Sequence, residues 1–142
     1  MVQIFPYLAY AGTIPFVFGA MCLAAGVQHL PVLGAVDSML SVYALIILSF
    51  LSGTHWGQHL HTSGVCARSL AIVSNIMAVV LWLGFLLLSF KVLLGLFVLA
   101  FVLLLLIDQR LLKNEMISKK YFDTRLLVSS IAIVSLIISV IV

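Results

Sequence analysis

The stretch VLLGLFVLAFVLLLLI, residues 92–107, contains no charged and no hydrogen-bonding side chain. Such a run belongs either in a deep protein core or in the hydrocarbon of a bilayer, and the rest of the chain decides between them. Of 142 residues, 65% are hydrophobic and only 8% charged, with a mean hydropathy of +1.35. A soluble domain carries charge on roughly a quarter of its residues. Here seven basic and four acidic residues are too few to cover a water-exposed globule. The apolar residues fall instead into blocks near the ~20 residues that cross about 30 Å of hydrocarbon. The expected fold is all-α, a polytopic membrane helix bundle in which each span satisfies its own backbone.

Five spans are predicted, at about 6–27, 38–60, 67–88, 92–107 and 125–142, within a single integral membrane domain over 1–142. A polar hairpin at 108–124 separates the last two, which are short but accommodated by tilt or local thinning. With five crossings, the N-terminus, the 58–68 loop and the 108–124 hairpin share one side. That side holds Arg68, Arg110, Lys113, Lys119, Lys120 and Arg125 at the loops or span ends, against Lys91 alone on the other. The positive-inside rule then places the N-terminus in the cytoplasm and the C-terminus outside. Topology thus explains the basic pI near 9.1, and no nucleic-acid partner is expected. Glu115 and Lys119 have helical i,i+4 spacing, which would extend the flanking helices beyond the bilayer. Leu111, Leu112, Met116, Ile117, Tyr121 and Phe122 would then rest on its interface.

Two cysteines, Cys22 and Cys66, lie toward opposite ends of the bundle and form no disulfide framework. Met21 stands before Cys22 where a lipoprotein site wants a small residue. The opening MVQIFPYLAY has no Lys or Arg, so it reads as a retained first span and not a cleaved signal or transit peptide. His29 falls in the outer loop, away from the histidines at 55–61.

In lipid, helices associate through close packing and polar contacts, because apolar side chains gain little by leaving the tails for one another. Gly12, Gly19 and Gly26 recur every seven residues along the first span, with Pro15 and Cys22 between them, and predict a packing seam. Pro15 would kink that span, a change tolerated where neighbours re-satisfy the backbone. Ser49, Gly53 and Gly57 form a second small-residue row. Ser135 and Ser139, one turn apart, would bond either across to another helix or back to their own.

The chemically capable residues concentrate in SFLSGTHWGQHLH, residues 49–61. Trp56 suits an interfacial anchor. His55 lies about a turn inside the boundary, where an ionisable group faces a protein interior or wet cavity and has a partner. Asn75 and Asp108 are the candidate partners, and Ser52 lies one turn back on the same face. His55, Trp56, Ser52, Asn75 and Asp108 make a candidate ligand site for a lipid, quinone or ion, against the plainer reading that His55 hydrogen-bonds a neighbouring helix while His59 and His61 are solvated loop residues. His55, His59, His61 and Cys66 are metal-capable types, but no carboxylate or CxxC completes a pattern, so neither a metal nor any other cofactor is expected. Only one span has a histidine at membrane depth, which disfavours a haem with two axial histidines. No nucleophile–base set, HExxH helix or phosphate loop occurs, and catalysis is not expected.

YAGTIPFVFGA (10–20) and YALIILSFLSGTHWG (43–57) resemble the two signatures of the domain of unknown function 3429 family, to which animal transmembrane protein 69, a mitochondrial protein, and many bacterial proteins also belong. The second signature ends in a glycine pair, a basic residue and Trp-Gly. Ser52-Gly53 stands for the pair here, and His55 holds the basic position, where arginine is frequent. The resemblance implies a compact helical bundle and no inherited activity. It also implies that residue 55 is a donor or cation facing a carboxylate, lipid phosphate or quinone oxygen, since arginine would not replace a metal or haem ligand. Lacking a transit peptide, the chain is expected to be a bacterial, inner-membrane, transmembrane protein 69-like member.

Function then divides three ways. The first reading is an accessory, assembly or interaction component, joining another membrane protein or its own copy through the small-residue seams. The second is a binder of a lipid, quinone or ion at the cytoplasmic leaflet. The third, a small transporter or channel, finds no repeat and few buried charges to support it.

Overall fold

A computed structural model of the chain describes residues 4–32, 34–59, 64–115 and 117–141, with the side chains of 4–6, 58, 59 and 65–67 outside the description. Its elements are α1 (Ile4–Ala11), α2 (Ile14–Ala24), β1 (His29–Leu30), β2 (Gly34–Ala35), α3 (Val36–His59), α4 (Val65–Leu87), α5 (Phe90–Lys113) and α6 (Lys119–Ile141). Five segments are long and apolar enough to cross a membrane, with α1 and α2 together forming the first.

Helix α5 is the spine. Its buried residues Leu93, Leu94, Phe97, Ala100, Phe101, Leu104, Asp108 and Leu111 recur at three- and four-residue steps, which puts them on one face. Helix α3 answers with Val36, Leu40, Ala44, Leu48, Ser52 and His55, each buried and three or four residues apart. Phe16 of α2 packs edge-on against Tyr43 of α3 and Phe101 of α5, with centroids 5.2 and 5.8 Å apart. That edge-to-face geometry suits the ring quadrupoles. Helix α6 packs on α5 and α2, whereas α4 lies to one side against α3 and α5.

The inward face of α6 inverts the water-soluble pattern. Thr124, Arg125, Ser129, Ala132, Ser135, Leu136 and Ser139 are buried, while Leu126, Leu127, Val134, Ile137, Ile138 and Ile141 are exposed. Small side chains let the helix backbones approach, and the bulky ones meet lipid. Ser139 Oγ donates to the Ser135 carbonyl at 2.9 Å, so this pair bonds back within its own helix.

Several expectations need correction. The first span is broken, not kinked around a continuous Pro15: α1 ends at Ala11, and Pro15 sits in the first turn of α2. A proline there loses no hydrogen bond, because first-turn N–H groups have no helical partner. The Tyr43 hydroxyl donates to the Gly12 carbonyl at the break, 2.8 Å away. Gly12 and Gly19 do lie in a seam, and a Cβ on Gly19 would stand 3.1 Å from Leu40 Cδ1. Gly26 does not; its φ of +82° places it in the turn after α2 with no described atom within 4 Å of an added Cβ. Cys22 is half-buried.

Gly53 and Gly57 likewise have no described atom within 4 Å of an added Cβ, and Ser49 is exposed, so that row faces away from the described bundle. The segment between α2 and α3 contains a two-strand antiparallel hairpin pairing His29 with Ala35 and Leu30 with Gly34. At the other end, Glu115 has φ +58° and stops α5, so it makes no helical pair with Lys119. Leu111 is buried at 2% exposure, not spread on the interface. Met116 lies outside the described residues.

Candidate functional site

The stripe on α3 that carries Leu48 and Ser52 turns His55 inward, one turn further on. On α5, Asp108 follows Leu104 by four residues and therefore shares its buried face. On α6, Arg125 stands four residues before Ser129 and seven before Ala132, on the face turned toward the bundle. The three side chains meet where α3 and α5 end and α6 begins. His55 Nε2 lies 2.8 Å from Asp108 Oδ1, and Arg125 Nη2 lies 2.9 Å from Asp108 Oδ2. Their exposures are 2%, 1% and 4% for His55, Asp108 and Arg125.

Each carboxylate oxygen thus serves a different helix. The two contacts differ in kind: the histidine contact is an aligned hydrogen bond, whereas the arginine contact is close but not directed along an N–H, and so is chiefly Coulombic. Arg125 Nη1 donates to the Tyr121 hydroxyl at 3.1 Å, one turn back on α6. The guanidinium carbon lies 5.8 Å from the centre of the Tyr121 ring. Away from water, opposite charges hold one another far more strongly, and an unpaired one is costly. Beside this cluster, Ser52 Oγ donates to the Ser74 carbonyl at 3.0 Å and ties α3 to α4.

A cavity of about 550 Å³ opens between α3, α4 and α5, with Ser52, His55, Met77, Leu104, Ile107 and Arg110 among its walls. Its size lies within the roughly 300–1,000 Å³ of small-molecule sites, which are mostly apolar with a few placed polar groups. His55 belongs to both features. Its Nε2 is taken by Asp108, and its Nδ1 is buried with no hydrogen-bond partner among the described residues.

The structure sorts the five sequence candidates. Ser52, His55 and Asp108 come together; Asp108 is the partner His55 acquires. Asn75 is exposed on α4, since its neighbour Ser74 occupies the face toward α3. Trp56 is 42% exposed, one residue round the helix from His55, and is not part of the cavity wall. Among the described residues, no group of three or more His, Cys, Asp and Glu side chains is placed to hold a metal ion. His61 and the side chains of His59 and Cys66 lie outside the description. His29 is exposed in β1.

Sequence reading missed Arg125, counting it only as a topological charge. The available signal was its register: residues 125, 129, 132, 136 and 139 make one stripe at four- and three-residue steps, and the rest of that stripe is small or apolar. A basic residue heading such a stripe faces the bundle.

Fold and site together define a multi-pass helical membrane protein with a buried His–Asp–Arg cluster beside an apolar cavity. The chain belongs to the family described as protein of unknown function (DUF3429), which it matches over residues 1–141. No curated protein and no solved structure matches it.

Proposed function

We propose that this protein binds a lipid-soluble amphiphile in the cavity between α3, α4 and α5, with the polar group of the ligand against His55. One observation carries the reading: a cavity of about 550 Å³, the size of a small-molecule site, has a mostly apolar lining with the buried His55 in its wall. The basic end of the bundle, with Arg110, Lys113, Lys119 and Lys120, supports a cytoplasmic-leaflet location in a bacterial inner membrane.

The test is extraction into polymer-bounded lipid discs followed by mass spectrometry of the retained small molecules. Wild type should retain a species that Val73→Trp, which fills the cavity from α4, does not. Identical retained molecules in both would count against the reading.

A second reading rests on the outward row of Ser49, Gly53 and Gly57. No described atom stands within 4 Å of an added Cβ on either glycine, which supports close approach by another helix, from a second copy or a different membrane protein. Mass measurement in mild detergent tests it: an assembly in wild type should dissociate in Gly53→Leu, and a wild-type monomer without partners would remove it.

A further inference from the structure

We infer that the cavity ligand is an acidic amphiphile whose negatively charged head, a carboxylate or a phosphate, is held by Arg110 while its tail enters sideways from the bilayer. The inference rests on the cavity reading above and deepens it by assigning the charge of the ligand.

The cavity is graded along its length. On α5, Leu103, Ile107, Arg110 and Asn114 follow at four- and three-residue steps, so they share a face, and all four line the cavity. On α4, Ser69, Val73 and Met77 do the same at four-residue steps. The two helices are joined across Leu88 and Ser89, so the start of α4 lies beside the end of α5. Ser69, Arg110 and Asn114 therefore gather at one end, and Val73, Met77, Leu103 and Ile107 lie deeper. The step from Arg110 back to Leu103 covers about 10 Å of helix axis at ~1.5 Å per residue, a length of apolar wall suited to a hydrocarbon tail. Asp108, the partner of His55, precedes Arg110 by only about 3 Å of that axis, so His55 and Arg110 border the same end.

Among the described residues that line the cavity, Arg110 alone carries a permanent charge, because arginine stays protonated in proteins. No acidic side chain of the chain answers it. Asp108 is sealed against His55 and Arg125, Asp37 lies at the opposite end of the bundle, and the exposed Glu115 and Asp123 form no ion pair with it among the described residues. A guanidinium presents a planar fork of donors that matches a carboxylate or a phosphate. The Ser69 hydroxyl and the Asn114 amide add donors at the same end. A cationic head would be repelled there, and a neutral one would leave the charge unanswered.

The way in is lateral. Val73, Leu103 and Leu106 line the cavity and are also exposed on the apolar outer surface of the bundle, so a tail reaches the cavity from the lipid without crossing water. Fatty acids and single-chain lipid phosphates share the required chemistry. Inorganic phosphate shares the head without the tail, and the probes separate these sources.

The experiment uses the full chain in discs of zwitterionic lipid, titrated by calorimetry at mildly alkaline pH with empty discs as the blank. Four probes share a dodecyl tail: dodecanoate, dodecyl phosphate, dodecanol and dodecyltrimethylammonium. Inorganic phosphate is the tailless probe. At least one of the two anions should bind about ten-fold more tightly than dodecanol, the worth of a hydrogen bond to a charged group. Arg110→Gln should bring the anions down to the level of dodecanol, and Arg110→Lys should keep part of the preference. Lys113→Gln removes the same charge from the same end but not from the cavity wall, and should leave the preference intact. Val73→Trp should remove binding of every tailed probe.

Equal binding of dodecanol and the anions, or tighter binding of the cation, would overturn the anion assignment while leaving the cavity reading standing. An equal loss in Lys113→Gln and Arg110→Gln would do the same, since it would trace the preference to surface charge. Displacement of dodecyl phosphate by inorganic phosphate at equal concentration would make this a site for a free anion and overturn the amphiphile. No binding of any tailed probe would overturn the cavity reading itself. If Arg110→Gln does not fold, the ranking of the probes in wild type and in Arg110→Lys still decides.

Discussion

The two ends of the bundle use the same residue types to opposite effect. At one end His55, Asp108 and Arg125 are 1–4% exposed and bonded in series across three helices. At the other, His29, Asp37 and Lys91 are all exposed around the short hairpin and the helix ends. Among the described residues Asp37 there accepts just the neighbouring Ser38 N–H, at 2.7 Å, within the first turn of α3. Ionisable groups at an exposed end keep their solvation whether or not they pair. Those sealed between helices must pair, and pairing dictates which atoms point where.

Asp108→Ala tests that contrast most severely. It strands Arg125 without a counter-charge, so stability should fall by about 3–5 kcal/mol. Thermal or denaturant unfolding in detergent would show it, and a change under 1 kcal/mol on that ~3–5 kcal/mol scale would mean that the cluster does not hold the helices. The double variant Asp108→Leu/Arg125→Met removes both charges and should be markedly more stable than Asp108→Ala, because a volume-matched apolar replacement of a buried pair is often neutral. Equal losses would show that the pair is worth more than its desolvation.

Ser52→Ala sharpens the comparison at smaller scale. It deletes the α3–α4 hydrogen bond beside His55 and should cost about 1 kcal/mol by the same unfolding measurement. Lys91→Gln, at the exposed end, should change stability by less than about 0.5 kcal/mol; a larger loss would place a hidden partner there.

The membrane class, the number of spans and Asp108 as one of two candidate partners for His55 were readable in the sequence. The first two follow from block length. The third follows from parity, since an even number of crossings between α3 and α5 returns the chain to the same side. The break at Gly12 was only half readable, because Pro15 marked the trouble but not whether the helix would bend or restart. The Tyr43 hydroxyl that meets the freed Gly12 carbonyl comes from 31 residues away, and no local pattern announces it.

Small-residue rows show where sequence reading stops. Gly12–Gly19 and Gly53–Gly57 both read as small-residue rows, yet α3 crosses Gly19 at contact distance while no described atom comes within 4 Å of an added Cβ on Gly53. Spacing states which residues share a face; it does not state what lies opposite. Arg125 was misjudged for the same reason, since a charge at a span end points to water or to the bundle according to the rotation of its helix.

By itself the sequence determined that this chain lives in a bilayer as helices, because an unbroken apolar block of about 20 residues satisfies its own N–H and C=O groups in hydrocarbon by coiling into a helix. Only the tertiary structure decided that Asp108 is shared between His55 and Arg125 and that the imidazole borders a cavity. Those outcomes depend on how each helix is rotated about its axis, and that is set by all the contacts of the bundle together.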